Sequence, residues 1–559
     1  VSYKKDIAES KFMKNSRSDR IKELMLELVR IQSDTGTRRE KDVEAYLHEW
    51  LGQREYFKNH PDYFGRYPLG KDPLERSVVW GLVKGQGDQT VILMHHHDVV
   101  DVFDYGSLAK WASDPPKLQA ALAGMELAAE ARMDLEGDEW IFGRGTGDMK
   151  AGAAIQCVLL EEYSEKADFK GNILLLSVPD EENLSEGMRG SLNLLSDLKA
   201  AINLDYKIMI NSEPHSKEQG KIGTFHVGSA GKLLAVIYVR GKKSHIGHIY
   251  QGFNPVLLLS EIVLQTELNT DYCDVVRGEV SPPPSWSYMR DNKEVYDASI
   301  PASAGGYLSL ISLNKTPADL ILQLKATCQY AVDLVIDKIR QSHAAYNRKW
   351  VRQEPGPAWQ VHVKTFSELY RQALNDSGQV FTEAYAGGVE SIISDIRGQR
   401  LNSPEATLKI VEMTLSHVSD LSPAVVIALS PPYYPSIHND EFQSLPDGVD
   451  NLTDYLIDIA GKRWQEAYKK QNYIMGLTDL SYAALQNGEG IVPVIGSNMP
   501  LWQKTYDIPF AGMEALSVPV INIGPWGKDL HKFTERVFKT DLLERTPVLL
   551  ESAIDYLLG

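Results

Sequence analysis

Short apolar runs alternate with helical patterns through the first 220 or so residues of the chain. The apolar runs are of strand length and lie at 78–83, 90–96, 171–178 and 206–214. Helical periodicity covers 18–54, apart from a break at SDTGTRRE, and recurs at 151–166 and 191–200. Strands that alternate with helices predict an α/β domain with a mostly parallel, buried sheet flanked by helices. The polar stretch KGQGDQ between the first two strands predicts a hairpin-like turn.

The pattern is different between about 223 and 436. It predicts, in order, a strand at 231–241, a helix at 254–268, two strands in SWSYMRD and GGYLSLISLN, a helix at 316–340 and a strand at 422–435. Asn254 suits the N-cap of the first of these helices, and Pro255 suits its first position. The order β-α-β-β-α-β predicts a split βαβ layer, which makes this segment an α+β domain. A mostly helical insertion is expected at about 345–420.

The α/β pattern returns near residue 448. It predicts a helix at 449–471, a strand at 518–526 and a final helix at 541–558. We therefore expect one discontinuous α/β domain, formed by 1–222 and 437–559, into which residues 223–436 are inserted as a second domain.

Composition and charge narrow the classes of function. The chain has 559 residues, 43% of them hydrophobic and 24% charged, which is typical of a globular protein with several domains. Its net charge of −17 and its lack of a basic run argue against nucleic acid or an anionic membrane as a partner. Three widely spaced cysteines fit a reducing compartment, and no apolar run has the length of a signal peptide or a membrane span. These features predict a cytoplasmic protein.

The stretch VILMHHHDVVD, at 91–101, places three histidines and an aspartate at the end of an apolar strand. In an extended strand His95 and His97 share one face, whereas His96 and Asp98 share the other. The second pairing suits a metal site, because a metal-bound imidazole usually donates its other N–H to a carboxylate or a carbonyl. Histidines that are only hydrogen-bonded or solvated are the alternative, and this stretch alone leaves both open.

Carboxylates and a further histidine follow other apolar runs in the same way. Asp148 lies in the glycine-rich FGRGTGDMKAG, which lacks the Gly-Lys-Ser/Thr of a phosphate-binding loop. Glu181 and Glu182 follow one predicted strand, Glu213 follows the next, and His531 follows the last. Sites in open α/β sheets lie beyond the carboxyl ends of strands. These groups therefore predict a site for zinc or a similar divalent ion, with enough ligands for two ions.

Taken together, the motifs resemble those of the di-zinc metallopeptidases of family 20, which include aminoacylase, acetylornithine deacetylase and succinyl-diaminopimelate desuccinylase. The resemblance runs in order from LVRIQSDTGTRRE near the start to HKFTERVF near the end. It includes His-x-Asp in HHHD, GRGxxDMKxG in GRGTGDMKAG, the paired glutamates of DEEN, the Glu-Pro of NSEP and TDxSY in TDLSY. It implies a fold of the phosphorylase/hydrolase-like, Zn-peptidase type with a lid domain. The length of the chain and of its lid is similar to that of the arginine-utilisation (RocB-type) branch.

The resemblance implies a set of metal ligands. One divalent ion would be held by His96, Asp148 and Glu213, and a second by Asp148, Glu182 and His531, so that Asp148 bridges the two. Zn²⁺ is the ion that the family implies first, with Co²⁺ and Mn²⁺ as alternatives.

Catalytic roles follow from the same resemblance. Asp98 would orient His96, and Glu181 would act as general base and then as general acid. The lid pattern G-x-x-[SA]-H falls on GKKSH, so His245 would stabilise the oxyanion of the tetrahedral intermediate, with His248 as a weaker competitor. A cis peptide bond between Asp148 and Met149 is also implied.

The implied activity is hydrolysis of an amide bond in a small N-acyl amino acid or a short peptide. The long lid leaves two assemblies open, a homodimer formed through the lid and a monomer in which the enlarged lid replaces the partner. Neither the acyl group nor the side chain of the substrate is predicted. Lid arginines such as Arg240 and Arg290 are candidates for binding a substrate carboxylate, and the sequence does not choose between them.

Three other functions fit parts of the sequence pattern. A catalytically silent metal-binding or sensory protein would have the ligands without the base, and Glu181 argues against it. Phosphoryl transfer at a two-metal site is disfavoured because no P-loop or arginine-rich segment is present. A di-zinc aminopeptidase on the related fold is disfavoured by the long lid with its GKKSH motif.

Overall fold

An eight-stranded sheet and a separate five-stranded sheet form the framework of the protein. The computed structural model describes residues 16–70, 72–349, 356, 359–486 and 488–559. Residues 1–15, part of the segment in which no signal peptide was predicted, lie outside the described residues. Residues 350–355 and 357–358 of the predicted helical insertion also lie outside them. Among the helices of the described ranges, none is long and apolar enough to cross a bilayer.

The strands of the described residues are numbered in chain order. They are β1 (Phe64–Pro68), β2 (Ser77–Lys84), β3 (Gln89–His96), β4 (Trp140–Phe142), β5 (Asn172–Val178), β6 (Asp205–Asn211), β7 (Ile222–His226), β8 (Gly228–Ser229), β9 (Gly231–Arg240), β10 (Val275–Val276), β11 (Glu279–Val280), β12 (Ser285–Asp291), β13 (Ser303–Ser312), β14 (His362–Thr365), β15 (Ala424–Tyr434), β16 (Ile437–His438), β17 (Ala467–Gln471), β18 (Val520–Asn522), β19 (Gly527–Lys528) and β20 (Arg536–Phe538).

The α-helices of the same residues are numbered likewise. They are α1 (Arg17–Arg30), α2 (Glu40–Gly52), α3 (Glu55–Asn59), α4 (Pro115–Leu122), α5 (Ala129–Glu136), α6 (Lys150–Ser164), α7 (Glu186–Ile202), α8 (Pro255–Thr266), α9 (Pro317–Asn347), α10 (Phe366–Arg397), α11 (Ser403–Leu415), α12 (Leu452–Trp464), α13 (Gly488–Asn498), α14 (Phe510–Leu516) and α15 (Thr546–Leu558).

The eight-stranded sheet has the order β1-β2-β5-β3-β6-β18-β7-β17. Its centre is parallel, since β5, β3, β6 and β18 run in one direction, whereas β1 and β2 are antiparallel at one edge. Helices α1, α6 and α15 cover one face, and α7 and α14 cover the other. Because both faces are buried, the central strands are apolar on both sides, which explains their continuous apolar runs. The predicted α/β fold with a mostly parallel sheet is confirmed.

The five-stranded sheet has the order β12-β13-β9-β15-β14. Alternate side chains of β9 face two helical layers: Leu233 and Ile237 pack with α8 and α9, and Val236 and Tyr238 pack with α10 and α11. The predicted β-α-β-β-α-β order is present, and α10 and α11 are the helices of the predicted insertion. Asn254 caps α8 by accepting from the backbone N–H of Val256, as the sequence predicted.

Two local predictions were wrong. The segments β2 and β3 do not form a hairpin, because β5 lies between them in the sheet. The helix predicted at 449–471 ends at Trp464, where Gln465 adopts a left-handed conformation, and the chain continues as β17. This strand has the sequence AYKKQ and lies at the edge of the sheet, so it carries no apolar run that would identify it.

Candidate metal centre

The strand ends of the eight-stranded sheet bring four of the predicted residues together. Strands β5, β3 and β6 are adjacent and parallel, so their carboxyl ends lie at one edge of the sheet. His96 is the last residue of β3, Glu181 and Glu182 follow β5, and Glu213 follows β6. The carboxyl ends of three buried, adjacent strands therefore place these four residues near one another.

Asp148 lies between two histidines at this edge. Its Oδ1 atom is 3.0 Å from His96 Nε2, and its Oδ2 atom is 3.2 Å from His531 Nε2. Each histidine also faces a glutamate, since His96 Nε2 is 3.1 Å from Glu213 Oε1 and His531 Nε2 is 3.1 Å from Glu182 Oε1. The result is two groups of three ligand atoms, each group within 4.8 Å, with Asp148 common to both.

The loop that carries Asp148 is held by Glu535, a buried residue for which the sequence suggested no role. The Glu535 carboxylate accepts from the backbone N–H groups of Gly147 and Asp148, at 3.1 and 3.2 Å. Its other oxygen accepts from the Arg144 guanidinium at 2.6 Å. The peptide bond between Asp148 and Met149 is cis, as the resemblance implied. Glu535 lies in the motif HKFTERV and Arg144 in GRGTGD, but neither motif indicates that the two side chains meet.

Asp98 contacts both the histidine and the loop of the two glutamates. Its carboxylate accepts from the backbone N–H groups of Glu181 and Glu182, at 3.2 and 3.1 Å. The Nδ1 atom of His96 is 3.0 Å from the backbone oxygen of Asp98 and 3.6 Å from its carboxylate. The backbone of Asp98 therefore orients the imidazole directly, while the side chain fixes the glutamate loop.

His95 and His97 point away from the cluster. The Nδ1 atom of His95 is 2.8 Å from Gln156 Oε1, and that of His97 is 2.9 Å from Ser177 Oγ. Both rings are buried, and burial lowers the pKa of His95 to about 4 and that of His97 to about 3. They are buried, hydrogen-bonded core residues, so His96 is the histidine of this stretch that lies in the cluster.

Glu181 lies in the same cluster. Its carboxylate forms a third group within 4.8 Å with His96 and Glu182, so distance alone allows it to be a ligand as well as a base. Burial raises the pKa of the Glu181 carboxyl well above its ordinary value, and the negative charge of Glu182 adds to the effect. A carboxyl group with a raised pKa is suited to proton transfer near neutral pH.

The donor set fits divalent cations. Burial, followed by the charge of Asp148, raises the pKa of Glu213 to about 8. Hydrogen bonds to Asp148 and Glu182 raise the pKa of His531 to about 11. The carboxylates are buried close together, so positive charge between them is favoured. Imidazole nitrogens with carboxylate oxygens are ligands for zinc and neighbouring divalent ions.

Asp479, in the TDLSY motif, is a buried acid whose charge acts on Glu181. Burial raises its pKa to about 7, and the charges of Asp98 and Asp180 act in the same direction. The sequence identified the motif, but it indicated no role for this side chain.

His245 is not part of the cluster. It lies on an exposed loop of the inserted segment, where its Nδ1 atom accepts from the backbone N–H of Gly247 at 3.1 Å. Within the described ranges, no hydrogen bond or ion pair joins it to the residues at the carboxyl edge of the large sheet. A role for His245 in oxyanion binding therefore requires a movement of the lid or a second copy of the chain.

Comparisons with known sequences agree with this geometry. A profile described as peptidase family M20/M25/M40 matches residues 92–551. The protein YqjN of Bacillus subtilis (strain 168) is 35% identical over 552 residues, which are 97% of this chain and 96% of YqjN. The protein RocB of the same strain is 26% identical over 551 residues, with 97% and 95% coverage. A succinyl-diaminopimelate desuccinylase of Acinetobacter baylyi is 29% identical over 164 residues, 29% of this chain and 38% of that enzyme.

Solved structures share the fold. A metallo-carboxypeptidase of the M20 family from Sulfolobus solfataricus superimposes with a TM-score of 0.51 at 12% identity, covering 96% of this chain and 98% of that chain. A tripeptidase from Staphylococcus aureus gives a TM-score of 0.50 at 13% identity, with 97% and 98% coverage.

Proposed function

The chain belongs to the peptidase family M20/M25/M40, and on that premise we propose which bond it cleaves and which of its residues cleave it. Its reaction is the metal-dependent hydrolysis of an amide bond. The proposed substrate is a small N-acyl amino acid or a short peptide. The observation that carries the proposal is the position of Asp148, one oxygen of which faces His96 and the other His531.

Two divalent ions, most simply Zn²⁺, are proposed as cofactors. His96, Asp148 and Glu213 would hold one ion, and Asp148, Glu182 and His531 the other. The three-atom groups around each histidine support this assignment. When bound, such a pair of ions lowers the pKa of a water molecule and polarises a carbonyl group.

The protein's own residues would then move the protons. Glu181 takes a proton from the attacking water as the new carbon–oxygen bond forms. It returns that proton to the amide nitrogen as the carbon–nitrogen bond breaks, so that the leaving group departs as a neutral amine. The backbone N–H bonds to Asp98 keep Glu181 and Glu182 in fixed positions during both transfers. His245 is the proposed donor to the oxyanion, delivered by the lid.

The proposal extends to the arrangement of the chain. We assign 1–222 and 437–559 to the catalytic domain and 223–436 to the lid, which would act either within one chain or across a homodimer. The match to RocB along the chain supports a place in the long RocB-type branch, and with it a role in arginine metabolism. The three free cysteines support a cytoplasmic location.

A hydrolysis screen with two neighbouring glutamate variants tests the proposal. N-acetyl amino acids, N-succinyl amino acids and dipeptides would be incubated with protein loaded with Zn²⁺, Co²⁺ or Mn²⁺. Glu181→Gln should lose about 10²- to 10⁴-fold in kcat while binding both ions, because only proton transfer is removed. Glu182→Gln should lose an ion as well, which elemental analysis of the purified protein would measure. Full turnover by Glu181→Gln, or hydrolysis that survives exhaustive chelation, would show that the mechanism is wrong.

A further inference from the structure

Asp180 directly precedes the two glutamates of the metal centre and organises the loop that presents them. Its φ of 71° lies in the left-handed region, which is uncommon for residues other than glycine. Its backbone oxygen accepts from the N–H of Ser185 at 2.7 Å, and its carboxylate accepts from the N–H of Glu186 at 3.2 Å. Residues 180–186, the glutamate loop, are therefore closed around Asp180.

Arg76, which directly precedes β2, is a buried cation that binds this loop. Its Nη1 atom donates to Asp180 Oδ1 at 2.6 Å and to Glu40 Oε1 at 2.9 Å. Its Nε and Nη2 atoms donate to the two carboxylate oxygens of Asp72, at 2.9 and 3.0 Å. All four side chains are buried. One guanidinium group thus pairs with three carboxylates, which would be left without their cation if it were removed.

Glu40 connects Arg76 to the backbone of the same loop. Its Oε2 atom accepts from the backbone N–H of Asp180 at 2.9 Å, while its Oε1 atom accepts from Arg76. The next two N–H groups of the loop are bound by the Asp98 carboxylate. Three successive N–H groups are therefore held by buried carboxylates, and Arg76 orients the first of these carboxylates as well as the Asp180 side chain.

We propose that Arg76 is a positioning residue for the hydrolysis reaction. By holding Asp180 it fixes the direction in which the loop presents Glu181 to the scissile amide and Glu182 to the metal. A general base has to lie within hydrogen-bond reach of the proton that it takes, so a loosened loop spends less time in a reactive arrangement. In the part of the chain that the structure describes, no hydrogen bond or ion pair joins Arg76 to a proposed metal ligand, so Asp180 transmits its effect. The kinetic consequence rests on the proposed function.

Steady-state kinetics of two arginine variants test the proposal, with kcat expressed per folded, metal-loaded molecule. At saturating metal, Arg76→Met should lower kcat about 10- to 100-fold, the effect of one hydrogen bond to a charged group, and leave KM within about threefold of wild type. Arg17→Met is the matched control, because Arg17 also pairs with two carboxylates, those of Glu162 and Glu551, and it should keep wild-type kcat. A kcat of Arg76→Met equal to that of Arg17→Met would overturn the proposal.

A double-mutant cycle tests whether Asp180 transmits the effect. Asp180→Asn alone should lower kcat about tenfold, and the variant with both substitutions should lie within about threefold of Arg76→Met, because the second change removes an interaction already lost. Full additivity of the two losses would mean that Arg76 does not act through Asp180, and the proposal would be wrong. If Arg76→Met failed to fold, Asp180→Asn, which keeps the cation, would carry the kinetic test. A kcat of Asp180→Asn within about threefold of wild type would then refute the proposal.

Hydrogen exchange separates this proposal from the proposed function, because the measurement needs no turnover. In metal-loaded Arg76→Met, exchange of the Glu181 and Glu182 amides should speed up at least about tenfold more than exchange of the amides in the buried strand β5. Arg17→Met should produce no such difference. Faster exchange confined to the glutamate loop would support the role of Arg76 even if every substrate in the screen resisted hydrolysis. Unchanged exchange in the loop, or an equal rise in β5, would mean that Arg76 only stabilises the fold as a whole, and the proposal would fall.

Discussion

Replacing Asp98 by asparagine should slow catalysis without removing a metal ligand. The Asp98 carboxylate is fully buried and accepts from the backbone N–H groups of Glu181 and Glu182. Asparagine keeps one acceptor oxygen and turns an NH₂ group toward the other N–H. One of the two hydrogen bonds is therefore replaced by a contact between donors.

The magnitude follows from the bonds that are lost. A hydrogen bond to a charged group contributes about 1.5–3 kcal/mol. The two bonds, at 3.2 and 3.1 Å, hold the proposed base and a neighbouring ligand, and one of them is removed. If about 2–3 kcal/mol of this is lost from the transition state, kcat should fall about 30- to 200-fold. His96 should stay in place, because its Nδ1 atom is closest to the backbone oxygen of Asp98.

Steady-state kinetics and metal analysis of Asp98→Asn would measure both effects. Asp101→Asn is a matched control, since Asp101 accepts from the backbone N–H of Phe103 in an exposed turn and, among the described residues, its side chain has no link to Glu181 or Glu182. The control should keep wild-type kcat. If Asp98→Asn kept kcat within threefold of wild type, the idea that its carboxylate fixes the glutamate loop would be refuted.

Three further outcomes are expected. Glu535→Gln should weaken metal binding about 10- to 100-fold, because it weakens the hydrogen bonds that fix the Asp148 backbone. Competition with a chelating dye would measure the metal affinity, and an affinity equal to that of wild type would contradict the prediction. Chelation should lower the melting temperature, since ions at 100 times their Kd add about 2.7 kcal/mol to the free energy of unfolding; scanning calorimetry with and without a chelator tests this. Burial raises the pKa of Glu44 from 4.5 in the unfolded chain to about 7 in the folded protein. Between these pH values the folded state keeps a proton that the unfolded chain loses. The contribution of Glu44 to the free energy of unfolding therefore falls as pH rises from 4.5 to about 7. Urea unfolding at pH 5 and pH 8 would measure this loss of stability, and Glu44→Gln should make it smaller by about 1–3 kcal/mol. Identical pH dependence of the free energy of unfolding in both proteins would contradict the prediction.

The large sheet and the closeness of the predicted ligands to one another were predictable because buried strands have a local sequence pattern. Strands β3, β5 and β6 are covered on both faces, so each is a continuous apolar run, and the polar residues that end each run mark the carboxyl edge. Strand β17 was missed because it is a polar edge strand. The hairpin prediction failed because neighbouring strands in sequence need not be neighbours in a parallel sheet.

The supports of the site were not predictable in the same way. The contact between Glu535 and the Asp148 backbone joins residues 387 positions apart, and no local pattern records such an approach. The contact of Tyr434 with Glu181 spans 253 positions and depends on how the two sheets meet. Charged residues that hold a loop through its backbone look, in sequence, like any other polar residue.

The span of the metal centre along the chain has a consequence for biosynthesis. Glu182 and His531 are 349 residues apart. At about 5–20 residues per second, a ribosome needs roughly 17–70 s to travel from one to the other. Throughout that interval the nascent polypeptide has the first of the proposed ligands but lacks His531. An enzyme of this design would remain inert toward surrounding peptides until the segment that carries His531 has been made.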